Sequence, residues 1–125
     1  YLIALFYRGH WWPYCRRQLV GFENEKEALK KLDAKVIAIS ADDEANAQEV
    51  AKDVSFPVTH SATKQDAYAM GGWAGVHRGT DIVQPSEFVI GPDGKVMTSS
   101  YSAGPIGRMD AADVVKWLTR RDSLG

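Results

Sequence analysis

The stretch LIALFYRGHWWPYCRRQL, from Leu2 to Leu19, changes midway from strand-like to helix-like sequence and contains the chain's single cysteine. Its first part, Leu2 to Tyr7, is an apolar run without polar alternation, which is typical of a strand buried on both faces. Pro13 suits the first position of a helix, because its fixed φ matches the helix and its missing N–H would have no partner there. The stretch therefore predicts a strand, a turn and then a helix with Trp12 at the N-cap.

Cys15 falls in the first turn of this predicted helix. The backbone N–H groups of a first turn have no partner within the helix, and the positive end of the helix dipole lies there. With Arg16 and Arg17 adjacent in sequence, both effects favour a thiolate over a thiol. The alternative is a small buried cysteine without a chemical role, which is the usual state of a lone cysteine. The position predicts a reactive thiol.

Length and composition favour one globular domain over residues 1–125. Hydrophobic residues make up 45% and charged residues 25% of the 125 residues, which fits an ordinary core and surface. Fifteen basic and sixteen acidic residues give a net charge of -1, so we predict no binding to nucleic acid. No apolar stretch reaches the roughly 18 residues of a membrane span, so we predict no membrane insertion either.

The cysteine count and the start of the chain carry further expectations. A single cysteine excludes an internal disulfide and a multi-thiolate metal site, and it fits a reducing compartment, so we expect a cytoplasmic protein. The three histidines are scattered and show no metal-ligand spacing, so neither a metal nor a dissociable cofactor is predicted. The chain begins at Tyr1, directly before a core strand, and we therefore expect that an N-terminal strand or hairpin is missing.

The remaining sequence predicts an α/β fold with a mixed sheet flanked by helices. Two buried strands separated by a helix form a parallel βαβ unit, and a later Pro-Asp-Gly turn joins the strands of a hairpin. The segment from Trp73 to Val83 shows no periodicity and is left unassigned, although Trp73 and Trp117 are placed in the core. The predicted elements are a strand at Leu2–Tyr7, a helix from Pro13 to about Leu32, a strand at Lys35–Ser40, a helix from Asp42 or Asp43 to about Lys52, a strand at Phe56–Thr59, a helix at Lys64–Met70, strands at Ser86–Ile90 and Lys95–Tyr101, and a last helix capped by Asp110 with Ala111, Val114, Val115 and Leu118 on its apolar side.

Four features of the sequence together resemble the thioredoxin superfamily. They are a strand ending in Phe-Tyr-Arg-Gly, a turn rich in Trp and Pro, a cysteine in the first helical turn, and a late Pro before a hairpin strand. More narrowly, FYRGHWWPYCRRQL resembles the peroxiredoxin-like branch, the alkyl hydroperoxide reductase and thiol-specific antioxidant type, whose usual text is Tyr-Arg-Gly-x-Trp-Cys-Pro-Tyr-Cys. The resemblance implies a thioredoxin-like fold and a thiol-dependent peroxidase activity.

Position 12 departs from the family pattern. These relatives usually carry the first cysteine of a Cys-x-x-Cys pair where this chain has Trp12, so dithiol chemistry cannot run through this motif alone. Resemblance to the Thr-x-x-Cys motif of typical peroxiredoxins makes Cys15 the attacking thiol, although an indole cannot accept the amides that a Thr hydroxyl accepts. A Trp codon is one base from a cysteine codon and from the stop codon read as selenocysteine. Trp12 is therefore natural, engineered or a translated selenocysteine codon, and the three origins stay open.

Polar residues near Cys15 are candidates for a role in catalysis. Arg8 or Arg16 is expected to supply the donors that stabilise a departing peroxide oxygen, with Arg17 as a competitor. Arg8 also occupies the position of a further Pro in typical peroxiredoxins. His10 is a candidate to exchange protons with Cys15, because histidine is the residue type whose ordinary pKa lies nearest to neutral pH. For each of them the alternative is a solvated or hydrogen-bonded residue on the surface.

Pro85 is a candidate for substrate binding on the resemblance alone. It lies where thioredoxin-like folds carry a cis-Pro facing the active-site thiol, which implies a cis bond between Gln84 and Pro85. A cis bond there would leave the backbone of Gln84 or Ser86 free to pair with a bound peptide or thiol. The alternative is an ordinary Pro at the start of a strand.

Two hypotheses of different class follow. The first is a single-cysteine thiol peroxidase in which Cys15 attacks hydrogen peroxide or an organic hydroperoxide and an external thiol of thioredoxin or glutathione type resolves the product, with a homodimer left open. The second is a redox-inactive thioredoxin-fold binding module, in which Trp11, Trp12 and Tyr14 form an aromatic surface for a partner. In the first hypothesis the same aromatic residues form a lip over the thiol.

Overall fold

The computed structural model describes residues 1–102 and 108–124, with the backbone but not the side chain of His77. Within these ranges the helices and strands alternate through the first half of the chain, and strands dominate from residue 74 until the last helix. The elements are β1 (Leu2–Phe6), α1 (Pro13–Asn24), α2 (Lys26–Lys31), β2 (Lys35–Ile39), α3 (Glu44–Ala51), α4 (Lys64–Ala69), β3 (Ala74–His77), β4 (Thr80–Val83), β5 (Ser86–Ile90), β6 (Val96–Tyr101) and α5 (Ala111–Leu124).

The main sheet has four strands in the order β2-β1-β5-β6. β1 pairs in parallel with β2 and antiparallel with β5, and β5 pairs antiparallel with β6, so the sheet is mixed as predicted. Successive residues of β1 point to opposite faces, and both faces are covered. Ile3 and Leu5 belong to the larger core cluster, together with Phe22 of α1. Ala4 and Phe6 belong to a second cluster on the other face. The prediction of a strand buried on both faces is confirmed.

The first helix begins where the sequence predicts but is interrupted. Trp12 is the N-cap with extended backbone and Pro13 is the first helical residue. The predicted continuous helix to about Leu32 is wrong, because the chain breaks at Glu25 between α1 and α2. The N–H of Glu25 donates to Phe22 O at 3.1 Å, an i to i−3 bond that ends the regular ladder. Like-charged side chains four residues apart across this break also disfavour an uninterrupted helix.

The segment predicted as a strand at Phe56–Thr59 forms only one isolated bridge. Val58 pairs in parallel with Ala38 at the outer edge of β2. The N–H of Ala38 donates to Pro57 O at 3.0 Å and the N–H of Thr59 to Ala38 O at 2.8 Å. Pro57 has no N–H to extend the ladder, so the strand prediction is wrong although the edge position is right.

The unassigned segment after Trp73 is a hairpin of β3 and β4. Its two-residue turn places Arg78 at φ 50° and Gly79 at φ 81°, so both central residues are left-handed, as in a type I′ turn. The N–H of Gln84 donates to Trp73 O at 2.9 Å and closes the open end. Such short strands show no usable alternation, and Arg is not a residue that predicts a left-handed turn.

The last helix packs on α1. Ala111, Val114 and Leu118 are buried and Val115 is half-buried, which confirms the predicted apolar stripe. Trp117 was placed in the core by the sequence, and this is wrong, because it is 36% exposed with the guanidinium of Arg121 5.8 Å from its ring. Trp117 therefore lies outside the buried stripe of α5.

Candidate active site

Cys15 lies in the first turn of α1 and is fully buried. Its sulfur accepts a hydrogen bond from the backbone N–H of Arg8 at 3.3 Å. It accepts a second from Nη2 of Arg108 at 2.9 Å, a guanidinium that carries a positive charge. Two N–H donors directed at one sulfur stabilise a thiolate more than a neutral thiol, because a bond to a charged acceptor is the stronger one.

Arg108 is the member of the site that the sequence analysis did not find. It lies just before α5, 93 residues after Cys15, so only the folded chain brings the two together. The one available indication was a basic residue two positions before the predicted cap, Asp110, and that pattern is common at helix starts. The described contacts thus place the guanidinium of Arg108, rather than that of Arg8 or Arg16, on the sulfur.

Arg8 takes part through its backbone, while its side chain leads to two other candidates. Nη2 of Arg8 donates to Oε1 of Gln84 at 3.2 Å, and its guanidinium lies 5.6 Å from the ring of Trp12. Gln84 is buried, so this bond satisfies an amide that has little access to water. The structure therefore brings together four of the residues that the sequence named as candidates, Arg8, Trp12, Cys15 and Gln84.

Arg16 forms an ion pair and His10 a hydrogen bond beside the site, and neither contacts the thiol in the described contacts. The guanidinium of Arg16 pairs with Asp53 and donates to His10 O at 3.4 Å. Nδ1 of His10 is 3.3 Å from Oδ1 of Asp42, and the N–H of His10 donates to Oδ2 of the same carboxylate at 2.7 Å. The structure therefore does not place Arg16 or His10 on the thiol of Cys15 as expected. Side chains of neighbouring residues in a turn point to different sides of it.

The aromatic residues of the turn form a connected group with an exposed part. Trp11 and Trp12 meet edge to face at 5.4 Å, and Trp12 and Tyr14 are 6.3 Å apart. Trp12 is half-buried against the larger core cluster, whereas Trp11 is 40% and Tyr14 39% exposed. The guanidinium of Arg17 stacks on Tyr14 at 5.2 Å. Trp12 makes no side-chain capping bond to α1, in line with the chemistry of an indole.

Pro85 is fully buried, and the peptide bond before it is trans. The cis bond expected from the resemblance is therefore wrong. The chain runs extended from β4 through Gln84 into β5, and Pro85 O accepts the N–H of Ser102 at 3.0 Å, which prolongs the pairing of β5 with β6. An extended passage of this kind needs no reversal of the chain, so the ordinary trans preference of an X–Pro bond prevails.

Two buried titratable side chains lie close to the thiol. Burial raises the pKa of Tyr7 to about 12, so its hydroxyl stays protonated at neutral pH. Burial also raises the pKa of Glu87, and hydrogen bonds from Gln18 and Met109 oppose this shift. Glu87 and Gln18 were missed by the sequence analysis, although each is a polar residue on an otherwise apolar face or strand, which was an available indication of a specific role.

Cavities adjoin the site on two sides. One of about 320 Å³ lies between α1 and the start of α5, and it is lined by Arg108, which also bonds the sulfur of Cys15. The other, of about 230 Å³, lies beside the turn before α1. The first is lined by Tyr14, Arg17, Gln18, Gly21, Arg108, Met109, Asp110 and Ala111. The second is lined by Arg8, His10, Trp11, Ala41, Asp42, Asp43, Asn46, Thr80, Asp81 and Ile82.

No helix in residues 1–102 and 108–124 is both long and apolar enough to cross a membrane. In the same ranges no three His, Cys, Asp or Glu side chains converge in a way that would hold a metal ion.

The fold and the thiol at the helix start define the class of thioredoxin-like α/β proteins, and structures of peroxiredoxins share this fold. AhpC of Enterococcus faecalis is 19% identical, with a TM-score of 0.79 over 98% of this chain and 75% of its own. Peroxidoxin BcpB of Mycobacterium tuberculosis is 20% identical, with a TM-score of 0.78 over 99% of this chain and 79% of its own. The bacterioferritin comigratory protein of Xanthomonas campestris is 19% identical, with a TM-score of 0.76 over 96% of this chain and 78% of its own.

The sequence itself shows the family. A profile of the AhpC/TSA family matches residues 1–99, most of the chain, and the chain therefore belongs to that family. Among curated proteins none matches this sequence.

Proposed function

We propose that this chain is a single-cysteine thiol peroxidase in which Cys15 is the attacking residue. The observation that carries the proposal is the pair of N–H donors on the sulfur, one from the backbone of Arg8 at 3.3 Å and one from Arg108 at 2.9 Å. A thiolate is the nucleophile toward peroxides, so a site that stabilises the thiolate supports this chemistry. Arg108 carries the positive charge that would also stabilise an oxygen leaving as an anion.

The proposed reaction is a two-electron oxidation of the thiolate. Its sulfur attacks the terminal oxygen of the hydroperoxide, the O–O bond breaks, and Cys15 becomes a sulfenic acid. The other oxygen leaves as an alkoxide or hydroxide and takes a proton from solvent, which gives an alcohol or water. Because Cys15 is fully buried, the peroxide must enter as Arg108 moves off the sulfur, and the cavity of about 320 Å³ beside Arg108 is the proposed way in.

Hydroperoxides are the proposed substrate class. The family supports this, and the structure of the Xanthomonas campestris relative was described for its alkyl peroxide reduction activity. Hydrogen peroxide and small organic hydroperoxides both fit a cavity of this size. The exposed rings of Trp11 and Tyr14 would suit the apolar part of an organic hydroperoxide.

The reductant is proposed to come from outside the chain. Cys15 is the only cysteine, so its sulfenic acid has no resolving thiol within the chain. An external thiol of thioredoxin or glutathione type would condense with it to a mixed disulfide and water, and a second thiol would release Cys15. A reducing compartment such as the cytoplasm supplies such thiols, and a homodimer, the assembly left open by the sequence, is compatible with this route.

The test is to trap the proposed intermediate. The reduced protein is treated with one equivalent of hydrogen peroxide or cumene hydroperoxide in the presence of dimedone, and the adduct is located by mass spectrometry. We expect an adduct on Cys15 and none in Cys15→Ser. Recovery of unmodified Cys15 after exposure to both peroxides, with the protein folded, would refute the proposal.

A redox-inactive binding module is the second candidate, and two observations favour it. Trp12 stands where the family resemblance implies a cysteine, and Cys15 has no exposed surface. Trp11 and Tyr14 remain exposed around it and would contact a partner. In that case Cys15→Ser would leave partner binding unchanged and Trp11→Ala would weaken it. In a peroxidase, by contrast, Cys15→Ser would abolish the activity.

A further inference from the structure

The backbone of Met109 is held on both of its polar sides by two buried side chains. Its N–H donates to Oε1 of Glu87 at 3.2 Å. Its carbonyl accepts from Nε2 of Gln18 at 3.1 Å, and the same Nε2 donates to Oε1 of Glu87 at 2.7 Å. The three groups form a closed ring of hydrogen bonds, in which Gln18 is 8% exposed and Glu87 has no exposed surface.

Each side chain of this ring is carried by a rigid element. Gln18 follows Cys15 by one turn of α1, so the two lie on the same face of the helix. Glu87 lies in β5, an inner strand of the main sheet, and pairs with Leu5 of β1. Met109 is thus fixed relative to both the helix that carries the thiol and the sheet beneath it.

The neighbour of Met109 is the residue that reaches the thiol. Arg108 donates through Nη2 to the sulfur of Cys15 at 2.9 Å. An Arg side chain has many rotamers, and fixing the adjacent peptide unit limits the volume that its guanidinium can sample. The ring around Met109 therefore limits where the charge of Arg108 can be.

A purely structural explanation of Glu87 is weak. A carboxylate buried in a core costs free energy unless it is paired, and an apolar residue of similar size would pack there at less cost. The charge of Arg108 acts on the same carboxylate, and burial nevertheless raises the pKa of Glu87. A group retained against this cost is better explained by the hydrogen bonds that it makes to Gln18 and Met109.

We infer that Gln18 and Glu87 are positioning residues that hold Arg108 on the sulfur of Cys15 by clamping the backbone of Met109. The inference rests on the proposed thiol chemistry, in which Arg108 stabilises the thiolate and the leaving oxygen. Neither residue touches the sulfur in the described contacts, so they act through Arg108. Loss of either one should therefore resemble loss of the Arg108 guanidinium.

The test follows the thiolate of Cys15 by its ultraviolet absorbance as a function of pH, which does not depend on peroxide turnover. We expect Arg108→Ala to move the midpoint of thiolate formation upward, since one charge-assisted hydrogen bond to the sulfur is lost. Gln18→Met keeps the size and helix preference of the side chain but loses the amide, and should move the midpoint by a similar amount. Gln48→Met, the same change on the exposed side of α3, is the matched control and should not move it.

Two further variants separate positioning from folding. Glu87→Gln keeps an oxygen acceptor for Met109 and should shift the midpoint less than Glu87→Met, which has none. In Gln18→Met with Arg108→Ala the two shifts should not add, because both remove the same contact. If Glu87→Met does not fold, the inference is tested by Gln18→Met and by the double variant of Gln18→Met with Arg108→Ala.

The outcomes are distinct from those of the peroxide experiment. A midpoint that moves in Arg108→Ala but stays in place in Gln18→Met, with only a lower melting temperature, would overturn the clamp. Equal midpoints in Arg108→Ala and the unmodified protein would overturn it as well. If no dimedone adduct forms but the variants shift the midpoint as expected, the proposed peroxidase activity is refuted. The positioning role of Gln18 and Glu87 then remains supported.

Discussion

Cys15 receives its hydrogen bonds from two parts of the chain that lie on either side of the helix it belongs to. The N–H of Arg8 comes from the end of β1 and the guanidinium of Arg108 from the segment before α5. Arg16 is the immediate neighbour of Cys15 in sequence, but its guanidinium forms an ion pair with the carboxylate of Asp53. At the scale of residues, the described hydrogen-bond donors on the thiol therefore come from tertiary contacts and not from the side chains of the adjacent arginines.

This assignment predicts different effects for two arginines. Arg108→Ala should slow the alkylation of Cys15 at neutral pH, since the guanidinium that hydrogen-bonds the reacting sulfur is lost. Arg16→Ala should have a smaller effect, because it loses an exposed ion pair. The measurement is the rate of modification by iodoacetamide under identical conditions. A larger loss in Arg16→Ala than in Arg108→Ala would contradict the geometry of the site.

The first turn of α1 is the element that determines what chemistry the site can do. Trp12 and Cys15 are the N-cap and the third helical residue, three positions apart. The resemblance implies a dithiol at this spacing, and we propose that only Trp12 prevents a disulfide in this turn.

Trp12→Cys should therefore create a redox-active pair. Mild oxidation should join positions 12 and 15 by a disulfide that dithiothreitol reduces, because both sulfurs then lie on one helical turn. Mass spectrometry before and after alkylation detects the loss of two free thiols. Intermolecular dimers as the sole oxidised product would show that the turn does not bring the two positions together.

The β3–β4 hairpin gives an independent test of local structure. Gly79 has φ 81° with open space around the position of a Cβ, so Gly79→Ala should cost about 1 kcal/mol through the backbone conformation alone. Gly21 in α1 is the matched control, since its added Cβ would meet Ala111 at an ordinary 4.0 Å and Ala favours a helix by about 0.8 kcal/mol. Denaturant midpoints should move in opposite directions. If the denaturant midpoints of Gly79→Ala and Gly21→Ala move in the same direction, the left-handed conformation of Gly79 in this turn is contradicted.

At the scale of the whole molecule, the first strand, turn and helix were predictable and much of the site was not. Leu2 to Pro13 carries local information, namely an apolar run followed by a Pro at a helix start, and that information suffices for β1 and α1. The contact of Arg108 with Cys15 spans 93 residues and follows no periodic pattern. The resemblance gave the correct fold, but it also suggested a cis bond at Pro85 that this chain does not have.

The expectation that residues 1–125 form one domain stays a prediction. Both core clusters draw on β1, which lies between β2 and β5 in the main sheet. A chain arranged around one strand should unfold cooperatively. Coincident unfolding curves from tryptophan fluorescence and far-ultraviolet circular dichroism would support one domain, and two separated transitions would contradict it.

Buried Glu87 predicts how stability depends on pH. Its pKa is raised in the folded chain, so the native state keeps this proton to higher pH than the unfolded state does. Its contribution to stability is thus fully present below the ordinary value of about 4.3 and is lost as pH rises through the folded pKa. The free energy of unfolding of Glu87→Gln, minus that of the unmodified protein, should therefore increase with pH above that value. A constant or decreasing difference in urea denaturation would contradict the raised pKa.

The central claim is that Cys15 is a thiolate prepared for peroxide by the Arg8 amide and the Arg108 guanidinium, and its rate of oxidation tests this most directly. Trp12 lies in the same turn as Cys15, so stopped-flow fluorescence should report the reaction with tert-butyl hydroperoxide. We predict a second-order rate constant at neutral pH at least about tenfold above that of free cysteine, since the two N–H donors on the sulfur would stabilise the attacking and leaving groups. The rate constant should fall in Arg108→Ala. A value equal to or below that of free cysteine, with no change in Arg108→Ala, would contradict the account.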